Sequence, residues 1–235
     1  MPPRPPPQPS TLTILCSAAA LVAVWLSLGI DQLARGGAGT AVGVPIRSIV
    51  VSSSSLFIPT VVQGPSGGLG AGAYAFMVLA GPVGILVAAG ALQAIANVLW
   101  SRGWLRGFAL VWFVVALLWV PTAFAAGALV HGGGPIHELY GRLGAPLAGR
   151  WSALALAVVL LAGTARLASI QAVQVGRSWM RADAREFRRR LVRVTAGWPG
   201  IAAILALALG AGWAPTPWVV IYLTMVMMSL QISTL

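Results

Sequence analysis

The chain has 235 residues, of which 58% are hydrophobic and 8% charged, with a formal net charge of +11 at pH 7 and a mean hydropathy of +0.88. A water-soluble domain cannot bury this proportion of apolar side chains, so the composition excludes an ordinary soluble globular protein. Lysine is absent and all 15 basic residues are arginine, which excludes a cofactor held as a lysine Schiff base.

Long apolar runs separated by short polar segments predict an all-α integral membrane protein with about six transmembrane helices. Residues 1–10 form a Pro-rich N-terminal segment, and residues 11–235 form a single membrane domain. The predicted spans lie at about 11–30, 71–100, 105–130, 151–174, 197–212 and 217–233. Between the first two spans, IRSIVVSSSSLFIPTVV predicts a short irregular or β segment at the membrane edge, where non-helical backbone needs a protein cover.

The distribution of arginine predicts the orientation in the membrane. Arginines are concentrated after the fourth span, and Arg102 and Arg106 lie between the second and third spans. By the positive-inside rule both loops are cytoplasmic, so both chain termini are cytoplasmic and residues 31–70 and 131–150 face outside. We expect the chain in the inner, cytoplasmic membrane of a bacterium.

Residues 175–195 predict a basic amphipathic helix at the cytoplasmic surface, with apolar residues at helical spacing on one face and arginines on another. We expect it to bind anionic lipids or an acidic partner protein rather than nucleic acid. Arg166, inside the fourth span, is expected to extend towards the cytoplasmic interface, where a lipid phosphate or another subunit supplies its counter-charge. The predicted lipid- or partner-binding residues are Arg177, Arg181, Arg185, Arg188, Arg189, Arg190, Arg193 and Arg166.

Three short motifs resemble the site-2-type intramembrane zinc metalloproteases. GVPIRSIVV at 43–51 is similar to the strand that follows their zinc helix, and LAGPVGILVA at 79–88 is similar to a helix that opens with AGP. VPTAFAAGALVHGGGPIHELYGRLG at 120–144 is similar in outline to a helix that ends in a Gly/Asp-rich turn. In that family an H-E-x-x-H helix binds zinc through its histidines and uses the glutamate as general base.

The resemblance implies a protease-like scaffold without its metal. Counted back from Gly43, the zinc motif falls on Asp31 to Arg35, read as DQLAR, and the later HGGGP turn has no aspartate. The chain is therefore expected to be a pseudoprotease with no catalytic residues and no cofactor. Considered apart from any relationship to that family, GIDQLARGG predicts a polar helix end at the outer interface, where Gly36 and Gly37 stop the helix. Asp31 and Arg35 are then expected to pair one turn apart.

An alternative site lies in HGGGPIHELYG, where His131, His137 and Glu138 could hold a metal ion for an intramembrane hydrolase. The simpler interpretation of this stretch is a short interfacial helix with Pro135 near its start. A transporter or lipid-handling protein is a third possibility, with Gln93 and Asn97 as its polar pair or as hydrogen-bonding contacts between helices.

The function that the sequence favours is a structural one. We expect a non-catalytic accessory subunit bound to other membrane subunits of a larger complex, of the respiratory or photosynthetic kind. The scarcity of acidic residues in the predicted spans argues against an ion-coupled pump, because proton and cation pathways need buried carboxylates or histidines.

Overall fold

The computed structural model describes residues 9–52, 57–99, 104–129, 135–144, 146–176, 221, 222, 224 and 225. In chain order the elements are α1 (Pro9–Ala41), β1 (Ile46–Val50), β2 (Thr60–Gln63), α2 (Ala71–Leu99), α3 (Trp104–Leu129), α4 (Pro135–Arg142) and α5 (Pro146–Gly176). Within these described residues, three helices are long and apolar enough to cross a bilayer, over Ser17–Ala41, Ala71–Leu99 and Leu105–Leu129.

The prediction of about six spans is confirmed only in part. The described part of the chain has five helices, of which α4 is a surface helix of 8 residues. The predicted fourth span lies within α5, whose apolar segment Leu147–Gly163 is shorter than the three candidate spans. The span at 197–212 lies outside the described residues, as does most of 217–233, although Ile221, Tyr222 and Met225 are helical and buried.

The first helix is longer than predicted, and the prediction that Gly36 and Gly37 stop it is wrong. The helix continues to Ala41 and ends where Gly43 takes a φ of 88°, with the Val44 amide donating to the Gly39 carbonyl at 2.8 Å. A glycine inside a helix costs only about 1 kcal/mol relative to alanine. Gly36 lies against Val61 of β2, so the helix gains close packing at the position where local propensity alone favours an end.

The two strands confirm the predicted β segment between the first two long helices. They pair antiparallel, with Ile49 opposite Val61 and an irregularity in the register between Ile46 and Ser48. The hairpin folds back along the C-terminal half of α1, where Gly36 and Gly39 leave room for Val61 and Gln63 of β2. The amide nitrogen of Gln63 also donates to the carbonyl oxygens of Arg35 and Gly36, at 3.3 and 3.4 Å.

The hydrophobic core is centred on α3. Of the residues in its apolar segment 83% are buried, against 28% in α1 and 33% in α2. The indole nitrogen of Trp112 in α3 donates to Oγ of Ser27 in α1 at 3.0 Å, inside the core. Because most residues of the apolar segments of α1 and α2 are not buried, these helices leave wide apolar surfaces open to lipid or to other proteins.

Candidate functional site

Asp31 and Arg35, where the sequence predicts the degenerate zinc motif, lie in the C-terminal third of α1 and form a largely buried ion pair. Nη2 of Arg35 donates to Oδ1 of Asp31 at 2.8 Å, and the two side chains are 19% and 12% exposed. The expected pairing of these residues is present, but the expected polar helix end is not. Asp31 lies ten residues before Ala41, which places it about 15 Å along the helix from its end.

The second long helix closes over this pair through small residues. A Cβ added at Gly81 of α2 would overlap Oδ1 of Asp31 and would lie 2.7 Å from Nε of Arg35. One turn further, Gly84 lies against Ala34, where an added Cβ would be 2.8 Å from the alanine Cβ. Gly81 belongs to the LAGP motif, so the structure brings one of the three motifs of the resemblance against the DQLAR stretch.

The chemistry of this site is that of a closed ion pair rather than a metal site. An arginine guanidinium carries only donors and stays protonated, so Arg35 cannot replace a histidine ligand. Nε of Arg35 is buried, and no described residue accepts a hydrogen bond from it. Among the described residues no group of three His, Cys, Asp or Glu side chains is placed to hold a metal ion.

A second polar cluster lies where α4 crosses the beginning of α2. Nε and Nη2 of Arg142 donate to Oε1 of Glu138 at 3.1 and 2.7 Å, and Nη1 donates to the carbonyl oxygen of Ser66 at 3.0 Å. The guanidinium carbon lies 3.9 Å from the centre of the Tyr74 ring. Hydrogen bonds from Arg142 and Tyr74 hold the pKa of the Glu138 carboxyl below its ordinary value of 4.5.

The alternative metal site stays a prediction, because His131 lies outside the described residues. Nδ1 of His137 is 3.2 Å from the carbonyl oxygen of Gly127, and Glu138 is bonded to Arg142. The short helix that the sequence predicts from Pro135 is present as α4. His137 thus joins α4 to the end of α3, and the contacts of Glu138 and Arg142 with Tyr74 join α4 to the start of α2.

The remaining predicted residues are divided between described and undescribed regions. The amide nitrogen of Gln93 donates to the side-chain oxygen of Asn97 at 3.2 Å within α2. Arg166 is exposed on α5. From position 177 on, the basic segment lies outside the described residues. That its arginines bind lipid or a partner protein stays a prediction; these are Arg177, Arg181, Arg185, Arg188, Arg189, Arg190 and Arg193.

Sequence reasoning missed Arg142, Tyr74 and Arg150. The spacing of Glu138 and Arg142 by four residues was a usable signal, because such pairs meet on one helix face. The contacts of Arg142 with Ser66 and Tyr74 join residues about seventy positions apart in the chain. No local pattern indicates such a contact.

Comparison with known proteins adds no relative. No family model matches the chain, and neither a curated protein nor a solved structure matches it. The likeness to site-2-type proteases therefore depends on the short motifs described above and stays a prediction.

Proposed function

We propose that this chain is a non-catalytic accessory subunit of a larger membrane complex, built on a scaffold like that of the site-2-type proteases with an ion pair in place of the zinc motif. The observation that carries the proposal is the position of the β hairpin. It lies beside a helix long and apolar enough to span the bilayer, and much of its surface is exposed.

The hairpin extends along α1 for a considerable distance from the C-terminal end of that helix. A Cβ at Gly29 would lie 3.4 Å from Pro59, the residue before β2. Gly29 is twelve residues before Ala41, or about 18 Å along the helix. With Ser17–Ala41 as the membrane span and a hydrocarbon core about 30 Å thick, the proposal puts the hairpin at the depth of the membrane interior.

Backbone at that depth must have its hydrogen bonds satisfied by protein. Lipid tails offer no partner for the unpaired N–H and C=O groups at a sheet edge, and each one costs several kcal/mol. All five residues of β1 are exposed, and its apolar side chains continue into Val51, which is 58% exposed. A neighbouring subunit that covers β1 would satisfy both the backbone and this apolar face.

The tip of the hairpin supports the same proposal. Phe57 has a φ of 59° and its side chain is 63% exposed. A bulky residue rarely adopts a positive φ, because its Cβ crowds the backbone. An exposed aromatic side chain presented in this way is typical of residues that anchor protein interfaces.

The non-catalytic part of the proposal is supported by the ion pair. Asp31 and Arg35 neutralise each other, and Gly81 and Gln63 lie directly against this segment of α1. A charged pair at this depth is expected to serve either function or specific packing. The close contact with Gly81 favours packing between α1 and α2. The respiratory or photosynthetic complexes remain the kind of host that we propose.

Site-specific photo-crosslinking in the native membrane, followed by a mild-detergent pull-down, tests this proposal. A photoreactive amino acid would replace Ile49 or Phe57, which are 53% and 63% exposed on the hairpin. The matched control would replace Val98, which is 82% exposed and lies near the C-terminal end of α2. We expect the hairpin positions, and not position 98, to crosslink to one defined membrane protein that also co-purifies at a fixed ratio.

Two results would contradict the proposal. A chain that purifies alone and crosslinks only to lipid from all three positions would show that the hairpin needs no partner. Stoichiometric zinc in the same sample, lost on His137→Ala, would instead favour a metal-dependent hydrolase that uses His131, His137 and Glu138.

A further inference from the structure

A cleft of about 310 Å³ lies between α4 and the first turns of α5, and no residue of the hairpin or of the Asp31–Arg35 pair lines it. It is lined by His137, Glu138, Tyr140, Gly141, Arg142 and Arg150. Neither the proposed structural function nor the resemblance to proteases assigns a purpose to this cleft.

The two arginines of the cleft differ in their contacts. Arg142 is engaged by Glu138, by the Ser66 carbonyl and by the Tyr74 ring. Nε of Arg150 is buried, and no residue in the described part of the chain accepts a hydrogen bond from it. A buried donor without an acceptor costs free energy, and the cost is larger when the group is charged. Arg150 therefore needs an acceptor that the described chain does not supply.

The position of Arg150 is fixed by tight packing next to it. Gly149 lies against the ring of Tyr140, where an added Cβ would be 2.8 Å from Cδ1. Tyr140 is itself buried, with 7% of its surface exposed. The first turn of α5 is thus held against α4, and the backbone of Arg150 is held at the wall of the cleft.

The charges that line the cleft indicate the class of ligand. Glu138 and Arg142 form an ion pair at 2.7 Å and cancel each other, which leaves Arg150 as a net single positive charge. One negative charge shared between two oxygens is the charge of a carboxylate or of a phosphodiester, and a guanidinium fork binds either group through two parallel hydrogen bonds.

The position of the cleft in the fold favours the phosphodiester of a lipid over a carboxylate. His137 is bonded to the Gly127 carbonyl near the end of the candidate span Leu105–Leu129, which places the cleft at the depth of the lipid headgroups. Trp151, next to Arg150, is 66% exposed, as is typical of tryptophans in the headgroup layer. We propose that this cleft binds the phosphodiester of a phospholipid headgroup on Arg150.

Native mass spectrometry of the full chain in detergent tests this proposal. The probe is short-chain phosphatidylethanolamine, with inorganic phosphate in a parallel titration. Arg150→Gln removes the guanidinium, and Arg47→Gln is the control that removes an equal charge from an exposed side chain outside the cleft. We expect one bound lipid per chain, an affinity about tenfold lower in Arg150→Gln, and no change in Arg47→Gln.

The conservative variant separates recognition from folding. Arg150→Lys keeps the charge and loses the paired hydrogen bonds, so we expect it to retain part of the affinity while Arg150→Gln loses it. Equal losses in Arg150→Gln and Arg47→Gln would overturn the proposal, because they would show attraction by net charge alone. Displacement of the lipid by equimolar inorganic phosphate would overturn the assignment to lipid and indicate a site for free phosphate.

Discussion

Gly81 of α2 lies so close to the carboxylate of Asp31 in α1 that a Cβ at position 81 would overlap Oδ1. The relationship joins a glycine of the LAGP motif to the first residue of the DQLAR stretch. It also sets the distance between the two helices at the depth of the ion pair, because only a glycine permits this approach.

We expect Gly81→Ala to destabilise the protein by about 2 to 3 kcal/mol, because the new methyl group must displace the ion pair or separate the helices. Gly37→Ala is the matched control, since a Cβ there meets nothing within 4 Å. That variant is expected to be neutral or stabilising by up to about 1 kcal/mol, through its helix propensity. Thermal unfolding in detergent, followed by circular dichroism, would compare the two variants.

The ion pair itself is tested by a double-mutant cycle. Asp31→Asn or Arg35→Gln alone leaves one buried charge without its partner, and we expect each to cost about 3 kcal/mol. The double variant removes both charges, so it is expected to be clearly more stable than the sum of the two losses predicts. Additive losses, measured by denaturant titration in mixed micelles, would show that the pair contributes no coupling.

The hydrogen bond between Trp112 and Ser27 makes a separate prediction about the contact of α1 with α3. Ser27→Ala leaves the buried indole N–H without its acceptor and is expected to cost about 1 to 3 kcal/mol. Ser27 also donates to the Ala23 carbonyl at 2.8 Å. Ser152→Ala is the control, because Ser152 donates in the same way to the Ala148 carbonyl at 2.9 Å, on an exposed surface. Its loss is expected to be near zero, and equal effects in the two variants would contradict the packing described for α3.

The lowered pKa of Glu138 predicts how stability responds to acid. The folded protein binds this proton less readily than the unfolded chain, whose carboxyl has the ordinary pKa of 4.5. The contribution of Glu138 is therefore present above pH 4.5 and is lost as the pH falls through the lower pKa of the folded state. Because the carboxylate is 55% exposed, we expect a loss of less than about 1 kcal/mol.

The matching measurement compares melting temperatures of the native protein and Glu138→Gln between neutral pH and pH 3. Stability of the native protein should fall more steeply than that of Glu138→Gln. Parallel curves would show that the carboxylate contributes nothing to stability. The comparison is simplified by composition, since the chain has only 4 acidic residues.

The sequence by itself determined the membrane class, the positions of α2 and α3, the β segment and the pairing of Asp31 with Arg35. Each of these depends on hydropathy over a long window or on contacts within one or two helical turns. These are the properties that a linear pattern contains. The likeness to a protease scaffold also depends on linear motifs. It stays a proposal, because such motifs do not specify how the helices are arranged in space.

Only the tertiary structure decided that α1 continues through Gly36 and Gly37, because the packing of β2 on those glycines outweighs their poor helix propensity. It also showed that Asp31, which the sequence places at a helix end, is buried against Gly81. The contact of Arg142 with Tyr74 and the unpartnered Nε of Arg150 depend on how α4 lies against α2 and α5. Such contacts are set by the packing of whole helices, which the spacing of residues in the chain does not encode.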